Sequence, residues 1–381
     1  MTRWVAPLTG ALVIAALLAA GMPARAQAPG PALPEPAATL QAALHCPPNL
    51  GRSPLGPVLL VPGTGLSGPE NWDWSYRPAL EAEGFAVCTV DMAEYGMGDI
   101  QVSAGRIVHA VRTMHAATGQ KVALIGYSQG GLDIRWALKY WPDIRPMVSD
   151  VIGLAPAHHG ADSAAAICQA AGACAASIWQ MVPGSRLIRA VNAGGETVAG
   201  IDYTNIYSRD DGVVVPPADR SSLKPAPGAS AANIEVQSLC PASRLAHIGF
   251  PADGAVYALV RDALLRPGAG DAARVSSSVC GTFVPGVTAA TAEAKAAELT
   301  NLATARIFAA PPLTAEPPLA AYAAGDAPAP TPRPPAAGEG APPARDGMPG
   351  SALAVLAVLA GALLAAGGLA GRRRRQRPSS M

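Results

Sequence analysis

Charge is scarce in this sequence. Only 14% of its 381 residues are charged, and 28 basic residues are set against 27 acidic ones. No basic excess points to nucleic acid. The chain has no internal repeat, which excludes a repeat array. Its six cysteines include no Cys-x-x-Cys, and no histidine stands at zinc spacing beside a cysteine pair. Neither a redox motif nor a metal site is therefore expected, and no cofactor is needed.

What is present is unevenly placed, with Ala, Gly and Pro clustered at the two ends. Residues 1–26 read as a signal peptide. Arg3 gives the positive start, Ala11 to Ala20 is too short an apolar run to span a bilayer, and Ala24-Arg25-Ala26 offers a small-x-small cleavage pattern. Near the other end, residues 351–371 carry no charge and are long enough to cross a membrane as a helix. Residues 372–381 form a basic tail, with Arg372, Arg373, Arg374, Arg375 and Arg377, expected on the cytoplasmic side. No Leu-Pro-x-Thr-Gly sorting signal precedes the apolar run. The expected product is exported and held at the cell surface or the periplasmic side by its C-terminal helix. Without the arginines of the two ends, 21 basic residues face 27 acidic ones. Cys46, Cys88, Cys168, Cys174, Cys240 and Cys280 in an exported chain imply disulfides.

Between the ends, residues 39–310 read as one catalytic domain and residues 311–345 as a Pro/Ala-rich spacer. The spacer has too few large apolar residues to fold. At about 3.1 Å per residue it would extend up to about 100 Å. In the domain, short apolar runs bounded by Gly, Pro or charge predict buried strands at Val58–Val61, Ala86–Val90, Val122–Ile125, Val151–Leu154, Thr204–Tyr207 and Ile234–Gln237. Helical patterns such as Gly105–Ala117 and Gly130–Tyr140 fall between them. The alternation predicts an α/β class fold: a mostly parallel sheet covered on both faces.

Gly126-Tyr127-Ser128-Gln129-Gly130 follows one of these strands and opens a helix. That is the context of a nucleophile elbow, in which small residues two positions either side let the backbone fold back and lift the Ser hydroxyl above the sheet edge. A Ser hydroxyl needs a base, and the base needs a carboxylate to orient it. In this fold the order is Ser, acid, His. His158 and His159 come too early for that order, so His247 is the candidate base. Asp210 and Asp211 follow the Thr204–Tyr207 strand, and spacing alone does not choose between them. The backbone N–H of Gln129 and the Pro62-Gly63-Thr64-Gly65 loop are the candidate oxyanion donors, with the Thr64 hydroxyl as a further one.

The chain resembles the family of Candida antarctica lipase B and its bacterial relatives over roughly residues 39–310. The likeness is carried by Val58-Leu59-Leu60-Val61-Pro62-Gly63-Thr64-Gly65, Ser128-Gln129-Gly130-Gly131-Leu132, Ile178-Trp179-Gln180, Asn192-Ala193-Gly194-Gly195 and Tyr207-Ser208 through Pro216. It implies an α/β-hydrolase fold, with Ser128, Asp211 and His247 as the catalytic set and Thr64 and Gln129 at the oxyanion hole. It also implies Cys46–Cys88 and Cys240–Cys280 bridges. Cys168 and Cys174 lack counterparts in the fungal enzyme, and their spacing suggests a local bridge across a lid-like segment. Two departures bear on substrate preference: Tyr127 replaces a Trp before the nucleophile, and Ala157 replaces an Asp after Ala-Pro.

The resulting expectation is a lipase or carboxylesterase acting on an ester or lipid substrate, with no obligate protein partner evident. An acyltransferase at the cell surface and a non-enzymatic binding protein on a hydrolase scaffold are the alternatives.

Overall fold

The computed structural model describes Met1, residues 29–48 and residues 50–326. The expected signal peptide beyond Met1, the 351–371 helix and the 372–381 tail lie outside the described residues. Among the described residues no helix is long and apolar enough to cross a membrane.

Seven strands form one sheet: β1 (Leu44–His45), β2 (Pro57–Val61), β3 (Ala86–Val90), β4 (Val122–Tyr127), β5 (Val148–Leu154), β6 (Asp202–Tyr207) and β7 (Ser230–Glu235). Their order is β1-β3-β2-β4-β5-β6-β7, and only β1 runs antiparallel to its neighbour. Apolar side chains on both faces of the central strands require helices on both sides. From β2, Leu59 and Val61 enter one core and Val58 and Leu60 the other. From β4, Val122 and Leu124 go one way and Ala123, Ile125 and Tyr127 the other. The helices Ile100–Thr118 and Gln129–Tyr140 pack on the first face, and the helices Tyr76–Glu83 and Gly254–Leu265 on the second.

From β2 the chain steps outward to β3, then crosses back to place β4 on the other side of β2. The carboxyl ends of β2 and β4 therefore flank a topological switch point, where open α/β sheets form their crevices. Val61 pairs with Gly126 at that edge, so the loop after β2 and the turn after β4 emerge side by side.

The expected strand at Ile234–Gln237 is displaced. The strand is Ser230–Glu235, and Val236–Leu239 is a short helix. This is the edge strand of the sheet, largely half-exposed, so Ser230, Ala231, Ala232 and Asn233 extend without an apolar run to mark them.

The domain also runs past both expected limits. Upstream, Pro31 O accepts from Trp141 Nε1 at 2.8 Å, and Glu35 holds Arg106 with two contacts of 2.7 Å. Downstream, residues 311–326 were expected to lie in the spacer, but they pack on the domain. Leu313 exchanges backbone hydrogen bonds with Cys174. The Glu316 carboxylate accepts from the N–H groups of Arg186 and Leu187 at the start of a helix. Tyr322 accepts from Trp136 Nε1 at 3.2 Å and lies against Tyr140 and Trp141. Composition averaged over the whole stretch hides these separate anchors. Residues 327–345 lie outside the described residues.

Candidate active site

Ser128 sits between β4 and the helix Gln129–Tyr140 at φ 54° and ψ −118°, a backbone state that side-chain-bearing residues rarely adopt. Its glycine neighbours are required sterically. A Cβ on Gly126 would lie 2.6 Å from Gly131 N, and one on Gly130 would lie 2.6 Å from Pro62 O. The first would block the turn itself, the second the approach of the β2 loop.

His247 reaches this serine from far along the chain. Its Nε2 lies 3.0 Å from Ser128 Oγ, and its Nδ1 lies 2.7 Å from Asp211 Oδ2. The other Asp211 oxygen accepts from the N–H groups of Val213 at 2.7 Å and Val214 at 3.0 Å. Those two bonds fix the carboxylate in the plane needed to hold the imidazole. Ser128, Asp211 and His247 are all buried, at 7%, 4% and 8% exposure. Desolvation strengthens each of their contacts.

The structure separates the two adjacent aspartates. Asp210 accepts from Gln237 Nε2 and pairs with Arg244 on the outside, while Asp211 faces the imidazole. His158 and His159 stand apart from the Ser128 hydroxyl's hydrogen bonds. His158 pairs with Asn205 and His159 with Glu196.

Thr64 and Gln129 are brought together across the switch point, where Thr64 Oγ1 donates to Gln129 Oε1 at 2.7 Å. The loop carrying Thr64 is pinned by Gly63 N donating to Asn71 Oδ1 and Gly65 N donating to Tyr95 O. Gln129 begins the helix, so its backbone N–H is one of the free donors of the first turn and points out at the positive end of the helix dipole.

One residue with a positioning role was not singled out for it from sequence. The Tyr127 ring stacks on His247 with centroids 5.0 Å apart, and its hydroxyl donates to the His247 carbonyl at 2.9 Å. The signal was its place beside the nucleophile, where its difference from Trp was read only as a substrate-pocket change. Its hydroxyl supplies a hydrogen bond to the histidine turn that an indole N–H would have to reach differently.

Cys46–Cys88, Cys168–Cys174 and Cys240–Cys280 are joined as disulfides. Cys46–Cys88 ties the chain after β1 to β3. Cys240–Cys280 closes the segment that carries His247. Cys168–Cys174 lies within the segment between β5 and β6, which is also bonded to the Asp211 loop through Ser163 Oγ and Val213 O.

A mostly parallel doubly wound sheet with a strained serine turn at its switch point defines an α/β-hydrolase fold. No family model matches the chain. Lipase B of Pseudozyma antarctica is 32% identical over 324 residues, covering 83% of this chain and 94% of that protein. The crystal structure of Aspergillus fumigatus lipase B matches with a TM-score of 0.73 at 30% identity, covering 79% of this chain and 75% of that one. The chain belongs to the lipase B family and is a carboxylic ester hydrolase.

Proposed function

We propose that the protein cleaves esters, lipid esters among them, through an acyl-enzyme on Ser128, with His247 as the base and Asp211 as its orienting carboxylate. The observation that carries this reading is the continuous contact from Asp211 through His247 to the Ser128 hydroxyl, at 2.7 and 3.0 Å. Ser128 Oγ attacks the ester carbonyl carbon as His247 Nε2 takes the hydroxyl proton. The carbonyl oxygen becomes an oxyanion, met by the Gln129 N–H and the Thr64 hydroxyl. The C–O bond to the alcohol then breaks, and the leaving oxygen takes the proton from His247. Water enters by the same route in reverse: His247 takes its proton, its oxygen bonds the acyl carbon, and Ser128 departs with that proton as the acid is released.

The disulfides suit an oxidising compartment outside the cytosol. The uncharged run at residues 351–371, followed by arginines, supports a C-terminal membrane anchor that keeps the catalytic domain outside. The 1–26 segment supports export.

The test is turnover of p-nitrophenyl esters of several chain lengths by the full-length protein and its Ser128→Ala variant. Turnover should fall on the order of 10⁴-fold or more in the variant with the circular dichroism spectrum unchanged. Equal turnover would reject Ser128 as nucleophile. Turnover that depends on an added acceptor alcohol would make the protein a transferase instead.

A further inference from the structure

Behind the candidate oxyanion hole lies a carboxyl group that the mechanism above does not use. Asp133 sits one turn along the helix from Gln129 and is fully buried. Its Oδ2 is 3.4 Å from Gln129 Nε2, and its Oδ1 has no hydrogen-bond partner among the described residues. No Lys, Arg or His of the described residues pairs with it within 4.0 Å. The charged group that acts on it is another carboxylate, Asp99, at the start of the helix Ile100–Thr118. An ionised carboxylate here would be buried, uncompensated and half-unbonded, which costs several kcal/mol. Asp133 is therefore a neutral acid, and it carries a proton. Burial pushes its pKa well above the usual carboxylate value, the Gln129 hydrogen bond opposes it more weakly, and Asp99 adds a smaller push upward.

The Gln129 amide joins this acid to Thr64. With the amide oxygen toward Thr64, Thr64 donates its only proton to Gln129 Oε1. The hydroxyl then turns lone pairs, not a proton, toward a developing oxyanion. Rotating the amide by half a turn exchanges its oxygen and nitrogen and moves no other group. Gly96 leaves room on that side: even a Cβ there would lie 3.5 Å from Oε1 and 3.6 Å from Nε2, so neither end of the amide is crowded. In the rotated state Gln129 Nε2 donates to Thr64 Oγ1, and the Thr64 proton is free. Gln129 Oε1 then faces Asp133 Oδ2 and needs a donor there. An aspartate ion has none; the neutral acid has one.

We propose that Asp133 is a positioning residue of the oxyanion hole. As a neutral acid it donates to Gln129 Oε1, which turns the Gln129 amide toward Thr64 and frees the Thr64 hydroxyl to donate to the oxyanion. The chain runs Asp133 O–H to Gln129 Oε1, Gln129 N–H to Thr64 Oγ1, and Thr64 O–H to the substrate oxygen. No proton changes owner. Each bond polarises the next, so the Thr64 hydroxyl is a stronger donor at the end of the chain than alone.

The proposal rests on Thr64 being an oxyanion donor, and a double-mutant cycle in the full-length protein separates the two ideas. With p-nitrophenyl butyrate, Thr64→Val should lower kcat by about 10²-fold, the scale of one lost oxyanion donor. Asp133→Leu should lower kcat by about tenfold and leave KM within about twofold, because part of one donor's effect is lost. Asp133→Asn, whose side-chain N–H can donate to Gln129 Oε1, should restore most of that loss. In the Thr64→Val background, Asp133→Leu should cost nothing further. A merely structural role for Asp133 predicts an equal cost in both backgrounds and a similar loss for Asn and Leu, and either result overturns the proposal. An unchanged kcat in Thr64→Val would remove the oxyanion role of Thr64 itself, and the Asp133 chain with it. If Asp133→Leu does not fold, Asp133→Ala enters the same cycle.

Discussion

Two turns at the carboxyl edge of the sheet each bury a histidine, and they put it to different uses. The turn after β5 holds His158 and the turn beyond β7 holds His247, at 0% and 8% exposure. The partner of each ring decides its tautomer. Around His158 the orientation can be traced from the backbone. Leu223 N donates to Asn233 Oδ1, and Asn233 Nδ2 donates to Leu223 O. Asn205 must then present Nδ2 to Asn233 Oδ1, so its oxygen faces His158 Nε2. His158 therefore carries its proton on Nε2, and its bare Nδ1 is buried without a partner among the described residues. At His247 the Asp211 carboxylate claims the Nδ1 proton and leaves a bare Nε2 facing the Ser128 hydroxyl. A carboxamide partner makes a packed histidine, whereas a carboxylate on one side and a hydroxyl on the other make a base.

The sharpest way to break this contrast is to replace each ring with Asn. His247→Asn removes the group that, among the described residues, is positioned to take the Ser128 proton, and kcat should fall by on the order of 10⁴- to 10⁶-fold. His158→Asn should leave kcat within about fivefold, its cost falling on stability through a buried hydrogen bond. Steady-state turnover on a p-nitrophenyl ester reads both. Comparable losses in the two variants would show that His158 takes part in the chemistry and that the tautomer argument is wrong.

A smaller effect isolates the carboxylate. In Asp211→Asn the imidazole keeps its place, but the amide can hold Nδ1 in the unprotonated state, the state His247 must avoid. kcat should drop by about 10³- to 10⁴-fold with KM little changed. Asp210→Asn, one residue away on the solvent side with Gln237 and Arg244, should stay within about twofold, as surface substitutions do. If the two variants behave alike, the carboxylate's part in the base is not what the geometry suggests.

Much of this arrangement was legible in the sequence because it depends on local rules. The elbow shows as Gly126-x-Ser128-x-Gly130 between an apolar run and a helical one, since the backbone turn tolerates only small neighbours. The fold's order of Ser, acid and His pointed to His247 and to the Asp210–Asp211 pair, and only the family resemblance chose Asp211. Features that depend on distant contacts were not legible. β1 is two residues long and is recognised as a strand only by its pairing with β3. The helix Ala289–Ala309 was not predicted as an element. Its many alanines blur any apolar stripe, and Leu299 is its only buried residue. It is fastened instead by Arg306, which pairs with Glu70 and lies over the Tyr95 ring. Residues 311–326 escaped notice for a similar reason. Leu313, Glu316 and Tyr322 each act at one point, and no periodic pattern marks them.

The smallest test of the contrast concerns acid stability. Burial, followed by the Arg135 charge, holds the His158 pKa well below its ordinary value of 6.5. In the unfolded chain the ring takes a proton near that value, while in the folded chain it stays neutral. The unfolded state thus binds more protons below pH 6.5, and stability falls as pH falls toward the folded pKa. The contribution of one such group is at most about 1.4 kcal/mol per pH unit. His158→Gln, which can still donate to Asn205 but does not titrate, should show a shallower loss between about pH 6.5 and 5, by roughly 1–2 kcal/mol in denaturant unfolding. Other titrating groups act equally on both proteins, so only the difference in slope matters. Parallel stability curves would mean that the His158 ring is protonated as readily in the fold as in water, and its buried, unpaired Nδ1 would need another explanation.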